Sequence, residues 1–158
     1  MAEKQIDGIE PINLNLMEGE HKTPEYKAKV PNAKVPALEL DDQTIISETT
    51  AICRYLEQLH PEPNLFGENP LEIAAIEMWQ SRVVFEVMLP LAMAFRHTHP
   101  AMASLEKQNP AYGELQREVG VKSIAYYDSV LSSSEYVAGE RFTRSEERRV
   151  GKECPLLC

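Results

Sequence analysis

Glu48-Thr49, Val35-Pro36, Lys34 and the pair His21-Lys22 are the residues whose types and spacing could do chemistry. Glu48 and Thr49 follow Ser47, a residue suited to the N-cap of a helix, and Ile52, Tyr55, Leu56 and Leu59 then recur at i, i+3, i+4 and i+7. The N-terminus of a helix attracts a carboxylate through its free N–H groups and its dipole. Glu48 in that place is equally accounted for as a complement to the dipole, typically worth about 0.3–1 kcal/mol. His21, Lys22 and Lys34 carry donors of the charge-assisted kind that bind carboxylates well. A solvated basic loop accounts for Lys22 just as well. Val35-Pro36, taken alone, reads as a proline at the start of a strand.

His97 and His99 form a His-x-His pair, but residues two apart on a helix point to nearly opposite sides, and no metal is expected there. The three cysteines, Cys53, Cys154 and Cys158, are an odd and sparse set. They are expected to be free thiols in a reducing, cytoplasmic setting, and no further Cys or nearby His completes a zinc site.

These residues belong to a chain of ordinary globular composition: 158 residues, 43% hydrophobic and 26% charged. The net charge of -9 argues against a nucleic-acid partner, since the phosphate backbone would be repelled. No apolar run approaches the roughly 18 residues of a membrane span. Residues 1–5 carry no apolar stretch, so no secretory signal is expected, and the last four residues are not a prenylation box.

The elements that must position the polar residues fall into two groups. Residues 9–16, IEPINLNL, alternate apolar and polar and predict a strand with one buried face. Thr23-Pro24-Glu25 predicts an N-cap, a proline in the first turn and an acid near the positive end of a short helix reaching about Lys29. Residues 35–40 and 44–46 predict a hairpin around Asp41-Asp42-Gln43. Ser47 then caps a helix that Pro61 and Pro63 end. Residues 61–70, PEPNLFGENP, read as a linker. Beyond it only helices are predicted. One starts at Asn69-Pro70-Leu71-Glu72, a capping-box arrangement, with Ile73, Ile76, Val83, Val84, Val87, Leu91 and Phe95 at helical spacing. Pro90 lies inside it and is expected to bend it, at about 3 kcal/mol unless packing compensates. Asn109-Pro110 opens another, whose Leu115, Val119, Ile124, Tyr127 and Leu131 put apolar residues on more than one face.

Three blocks in order carry a family likeness: Gly19-Glu20-His21-Lys22-Thr23-Pro24-Glu25-Tyr26, then Lys34-Val35-Pro36-Ala37-Leu38, then Ile46-Ser47-Glu48-Thr49-Thr50-Ala51-Ile52-Cys53-Arg54-Tyr55-Leu56. Together, and followed by a helical region, they resemble a cytosolic glutathione transferase of the phi/theta type. The resemblance runs from about Ala2 to Thr143. It implies an α/β plus all-α fold: an incomplete thioredoxin-like domain over residues 1–62, a linker over 63–69 and a helical-bundle domain over 70–143. It also implies conjugation of glutathione, a co-substrate rather than a resident cofactor, to a small electrophile held between the two units.

The site residues implied by the resemblance are His21, Lys22, Lys34, Val35, Pro36, Glu48 and Thr49. Val35, ahead of a cis-Pro36, would lend its backbone N–H and C=O to the cysteinyl part of glutathione, much as one strand adds to another. Thr49, where many members carry Ser, would hold the γ-glutamyl carboxylate, and Glu48 would pair with the γ-glutamyl ammonium. His21, Lys22 and Lys34 would meet the glycyl carboxylate. Members usually dimerise, so a homodimer is implied, with neither a membrane nor a nucleic acid as partner.

Both ends depart from the family. Residues 1–4 resemble the end of the first family helix, and no residue matches the family's catalytic Ser, Tyr or Cys. Without the first strand, the strands expected at 9–16 and 35–40 would each carry an unpaired edge, so the isolated chain is expected to be unstable or to fill the gap with another segment. Thr143-x-x-Glu146 keeps a capping pattern. Residues 144–158 leave the family, and the run from Arg144 to Cys154 resembles a translated sequencing adapter, so an artefactual or disordered tail is expected over 144–158. The readings are therefore a transferase fragment, a non-catalytic binding or assembly protein of the same fold, or a piece with no activity.

Overall fold

A computed structural model describes residues 2–105 and 107–147. The chain divides into two compact units, Met1–Asn64 and Leu65–Cys158.

The first unit is built around one hairpin. Strand β1, Ala37–Glu39, pairs antiparallel with β2, Ile45–Ser47, in the register Ala37↔Ser47, Leu38↔Ile46 and Glu39↔Ile45. The turn is closed by Leu40 N–H to the Thr44 carbonyl (2.9 Å) and by Asp42 Oδ1, which accepts from Thr44 N (2.9 Å). Ahead of the hairpin lies α1, Pro24–Lys29, with the Thr23 hydroxyl accepting from Tyr26 N at 3.3 Å, as the Thr-Pro-Glu signal predicts. Behind it lies α2, Thr49–Leu59, whose Leu56 and the loop residue Val30 are buried.

The strand expected at 9–16 does not form. Residues 9–15 have no regular secondary structure, Leu16 opens a turn, and Ile12 is 79% exposed. Alternation supplies a face to bury, but a strand also needs a neighbour for its backbone groups, and among the described residues only β1 and β2 pair in a named sheet. The start of the unit is fastened differently. Lys4 Nζ lies 2.7 Å from Glu57 Oε2 and donates to the carbonyls of His60 and Pro63, both at 2.7 Å. The two charged side chains are only 5% and 4% exposed, so the ammonium exchanges its water for three protein oxygens near the end of α2.

The second unit is helical. Helix α3, Pro70–Arg82, is capped by Asn69 Oδ1, which accepts from Glu72 N at 3.0 Å. Glu72 in turn accepts from Glu68 N (2.8 Å) and from Arg141 through Nε (2.9 Å) and Nη2 (2.6 Å). The Glu68 N–H lowers the Glu72 pKa most; the Arg141 hydrogen bond and charge add to this against the opposing effect of burial. After Arg82 the helix widens by one residue per turn over Val83–Met88, with Leu89 N–H bonded to the Val84 carbonyl, and then continues as α4, Leu89–Thr98. The expected disturbance at Pro90 thus takes the form of a wide turn just before it, and Pro90 itself is buried.

Helix α5, Pro110–Leu131, starts at Asn109, whose Oδ1 accepts from Tyr112 N at 3.2 Å. It approaches α4 through Gly113 and Gly120. A Cβ at these positions would lie 2.5 Å from Thr98 Cγ2 and 2.7 Å from Leu91 Cδ2, respectively. Tyr127 is buried beside Trp79 (ring centroids 5.9 Å apart) and donates to Glu86 Oε2 at 3.4 Å. Burial first, and the Glu86 charge and hydrogen bond next, push its phenol up to about 12. Leu115, Val119 and Ile124, expected to pack, are instead exposed, so the packing face of α5 is the glycine and Tyr127 side.

The tail expected from 144 begins inside ordered structure. Residues Arg144–Glu147 form a one-turn helix, α6, and Thr143, Arg144, Ser145 and Glu146 are buried. Hydrogen bonds rather than apolar surface accommodate them: Arg144 N–H donates to the Leu65 carbonyl (2.8 Å) and Glu146 Oε1 accepts from Val137 N (2.7 Å). The rest of the expected tail, 148–158, lies outside the described residues, as do Cys154 and Cys158.

Candidate functional site

The hairpin register decides which sequence-singled residues meet. Because Ala37 pairs with Ser47, the residues just before β1 and just after β2 share one end of the hairpin. Those residues are Val35-Pro36 and Glu48-Thr49. The Val35–Pro36 bond is cis, and Val35 is 42% exposed. Thr49 is the first residue of α2 and is exposed.

Glu48, not Ser47, occupies the cap position of α2. Ser47 is held in the ladder opposite Ala37, and Glu48 adopts φ 71°, ψ 121°, an uncommon backbone for a residue with a side chain. The Glu48 side chain makes no cap bond to this helix, so its first N–H groups can take an acceptor from outside it. The Glu48 carboxylate is exposed, and its Oε1 accepts from Asn32 Nδ2 at 3.3 Å.

Lys34 is exposed, and its carbonyl accepts from the Tyr26 hydroxyl at 2.7 Å, which ties the residue before Val35 to α1. His21 and Lys22 lie in a single 3-10 turn, Glu20–Lys22, that leads through Thr23 into α1. Its entry residue, Gly19, has φ 77°. His21 Nδ1 is buried with no hydrogen-bond partner, whereas Lys22 is exposed. A buried polar atom left without a partner is uncommon and fits a place where a ligand group is taken up.

Sequence reasoning missed two residues here, Asn32 and Tyr26. Tyr26 was visible only as part of a family block, and nothing in the spacing of the sequence singles out Asn32. Neither bond follows from local spacing, because each joins segments brought together by the hairpin and α1.

The two remaining histidines serve the backbone. His97 Nδ1 accepts from Asn109 N (3.1 Å) and His99 Nδ1 from Ala101 N (3.2 Å). Among the described residues no group of three or more His, Cys, Asp or Glu could hold a metal ion. Cys53 is a free thiol, and no helix of the described residues is long and apolar enough to cross a membrane.

The chain thus has an α/β unit with an exposed Val35 ahead of the cis bond to Pro36, followed by a helical unit. Residues 1–64 match the family described as "Glutathione S-transferase, N-terminal domain". Glutathione S-transferase 2 of Saccharomyces cerevisiae is 38% identical over 149 residues, covering 92% of this chain and 64% of that protein. The crystal structure of a glutathione S-transferase domain-containing protein from Marinobacter aquaeolei superposes with a TM-score of 0.78 at 36% identity, covering 87% of this chain and 68% of that one. Glutathione transferase F7 of Populus trichocarpa gives 0.78 at 27% identity, with 93% and 70% covered. The chain belongs to the glutathione S-transferase family, with a thioredoxin-like N-terminal unit and a helical C-terminal unit. It spans 64% of the length of its yeast relative.

Proposed function

We propose that the protein is a glutathione transferase that joins the glutathione sulfur to small electrophiles in the cytoplasm, a detoxifying conjugation. The observation that carries this reading is the hairpin register, which sets Val35-Pro36 and Glu48-Thr49 at one end of β1 and β2. An extended tripeptide laid there would bond its cysteinyl backbone to Val35. Its γ-glutamyl carboxylate would meet the Thr49 hydroxyl and the open N–H groups of α2, and its ammonium would meet Glu48. His21, with its unpartnered Nδ1, and Lys22 and Lys34 would take the glycyl carboxylate.

In the reaction the thiol loses its proton, the thiolate sulfur forms a bond to the electrophilic carbon, and the leaving group departs with the electron pair. A free thiol with a pKa near 8.5 is only a few per cent thiolate at neutral pH, so turnover also needs a donor at the sulfur. We assign that role to none of the residues of this chain, and glutathione is a co-substrate with no resident cofactor or metal beside it. The second reading, a non-catalytic binding protein of the same fold, rests on the same absence of an assigned sulfur donor.

Two measurements separate the readings. Calorimetric titration with glutathione tests the site: saturable heat, abolished by Glu48→Ala with Thr49→Val, supports it, and no heat for the wild-type chain overturns it. Turnover of glutathione with an aryl halide then distinguishes an enzyme from a binder. Sedimentation of the same sample tests the homodimer that we expect from the family.

A further inference from the structure

We propose that Asn32 is a positioning residue that sets the Glu48 carboxylate for the primary ammonium of the bound peptide. The inference rests on the glutathione reading and deepens it. Three features meet at this point. Asn32 Nδ2 donates to Glu48 Oε1 at 3.3 Å across 16 residues of sequence. Glu48 stands at φ 71° and the neighbour of Asn32, Ala33, at φ 53°, so both ends of the contact rest on backbone that residues with a side chain seldom adopt. Glu48 is otherwise exposed, and the Asn32 amide is the side-chain partner found for its carboxylate among the described residues.

An exposed glutamate on its own samples many rotamers, and ordering it on a ligand costs entropy. The Asn32 amide removes part of that cost before the ligand arrives. It does so at one oxygen only, leaving Oε2 to accept from an ammonium. Because an amide is neutral, it orients the carboxylate without cancelling its charge, which a lysine in the same place would do. The loop that carries Asn32 is itself held, with Val30 buried and the Lys34 carbonyl bonded to Tyr26. The donor therefore approaches Glu48 from a fixed support.

The test is calorimetric titration of the full chain, wild type and Asn32→Ala, with two ligands: glutathione and its analogue that lacks the γ-glutamyl α-amino group. Asn32→Ala is expected to weaken glutathione binding about three- to tenfold, the range of one ordinary, solvent-exposed hydrogen bond. It is expected to leave binding of the desamino analogue within twofold. In a Glu48→Gln background the same substitution is expected to change glutathione affinity by less than twofold, because the charge it positions is gone. Equal weakening for both ligands, or undiminished weakening in the Glu48→Gln background, would mean that Asn32 only supports the loop, and would overturn the inference alone. No change for either ligand would overturn it too. Absence of wild-type binding to glutathione would instead overturn the glutathione reading and this inference with it.

Discussion

Gly113→Ala gives the sharpest test of how α4 and α5 pack, because two effects of known size oppose each other. Alanine is favoured over glycine in a helix interior by about 0.8–1.0 kcal/mol, so in an open helix the substitution would stabilise. At Gly113 the new methyl would lie 2.5 Å from Thr98 Cγ2, 3.1 Å from His97 Cβ and 3.3 Å from the Ala94 carbonyl oxygen. Carbon atoms prefer about 3.5–4.0 Å, so the overlap with Thr98 is about 1 Å. Thr98 cannot turn away freely, since its hydroxyl donates to the Ala94 carbonyl at 2.8 Å. Relieving the overlap by rotation would give up that bond, worth about 0.5–1.5 kcal/mol, and separating the helices would loosen the buried seam. Overpacking of this kind costs about 1–3 kcal/mol, so the net expectation is a loss of about 1 kcal/mol. Thr98→Ser removes the offending methyl and keeps the hydroxyl. In that background Gly113→Ala is expected to be neutral or stabilising, a coupling of about 1 kcal/mol or more. Urea denaturation followed by Trp79 fluorescence measures this well, because Trp79 is the sole tryptophan and sits in the helical unit. Stabilisation by Gly113→Ala alone, or the same change in both backgrounds, would refute the close approach.

Other expectations follow from buried and paired groups. Tyr127 has its folded pKa raised to about 12 from 10.0, so its neutral form is favoured by folding; the stability it contributes is full below pH 10 and is lost as pH rises through about 12. A shift of about two units corresponds to at most about 2–3 kcal/mol, and Tyr127→Phe should remove that alkaline slope from denaturation curves taken between about pH 10 and 12; an unchanged slope counts against the assignment. Glu72 has a depressed folded pKa, chiefly through the Glu68 N–H, so its contribution is present above 4.5 and is lost as pH falls through the folded value. Glu72→Gln should flatten the acid limb of stability, read by Trp79, and Arg141→Gln should flatten it in part. Lys4→Met removes one partner of a buried pair and should destabilise the first unit by about 3 kcal/mol, seen by circular dichroism while the Trp79 transition stays in place. Coincident loss of both signals would show that the two units unfold together.

Helix starts were the most legible part of the chain, and the reason is locality. Thr23-Pro24, Asn69-Pro70 and Asn109-Pro110 each place a capping side chain within three residues of the N–H it accepts from, at 3.3, 3.0 and 3.2 Å, so no distant partner is needed. The hairpin was legible for the same reason. Residues 9–16 were misread because a strand is a relation between two segments, and alternation describes only one of them. The seam of α4 and α5 was hidden because hydrophobic spacing singles out large residues, whereas the close approach is made by Gly113 and Gly120. Burial of Thr143–Glu146 was hidden because a charged sequence reads as solvated unless its backbone and carboxylate partners are known, here Leu65 and Val137.

The same contrast bears on the candidate site. The three helices that begin with a Thr-Pro or Asn-Pro pair are closed at their positive ends by their own side chains. Helix α2 begins differently: Glu48 stands at its cap with a left-handed φ and no side-chain bond to the first turn, although Ser47, a good capping residue, is one position away. A one-residue shift of the ladder would let Ser47 cap, but would turn Ile45 and Ile46 to the opposite faces of the hairpin. The fold therefore keeps the ladder and leaves the helix end open, at a place where a cap is ordinarily worth about 1 kcal/mol. Departures from locally favourable structure are expected where a site needs them, since elsewhere sequence and fold agree. An open helix end beside an exposed carboxylate and the Val35 backbone suits a ligand that carries both an acid and an ammonium on one carbon, as the γ-glutamyl group does. Supplying a cap from outside is then part of what binding contributes, and glutathione should stabilise the first unit against urea more than the desamino analogue does at equal concentration.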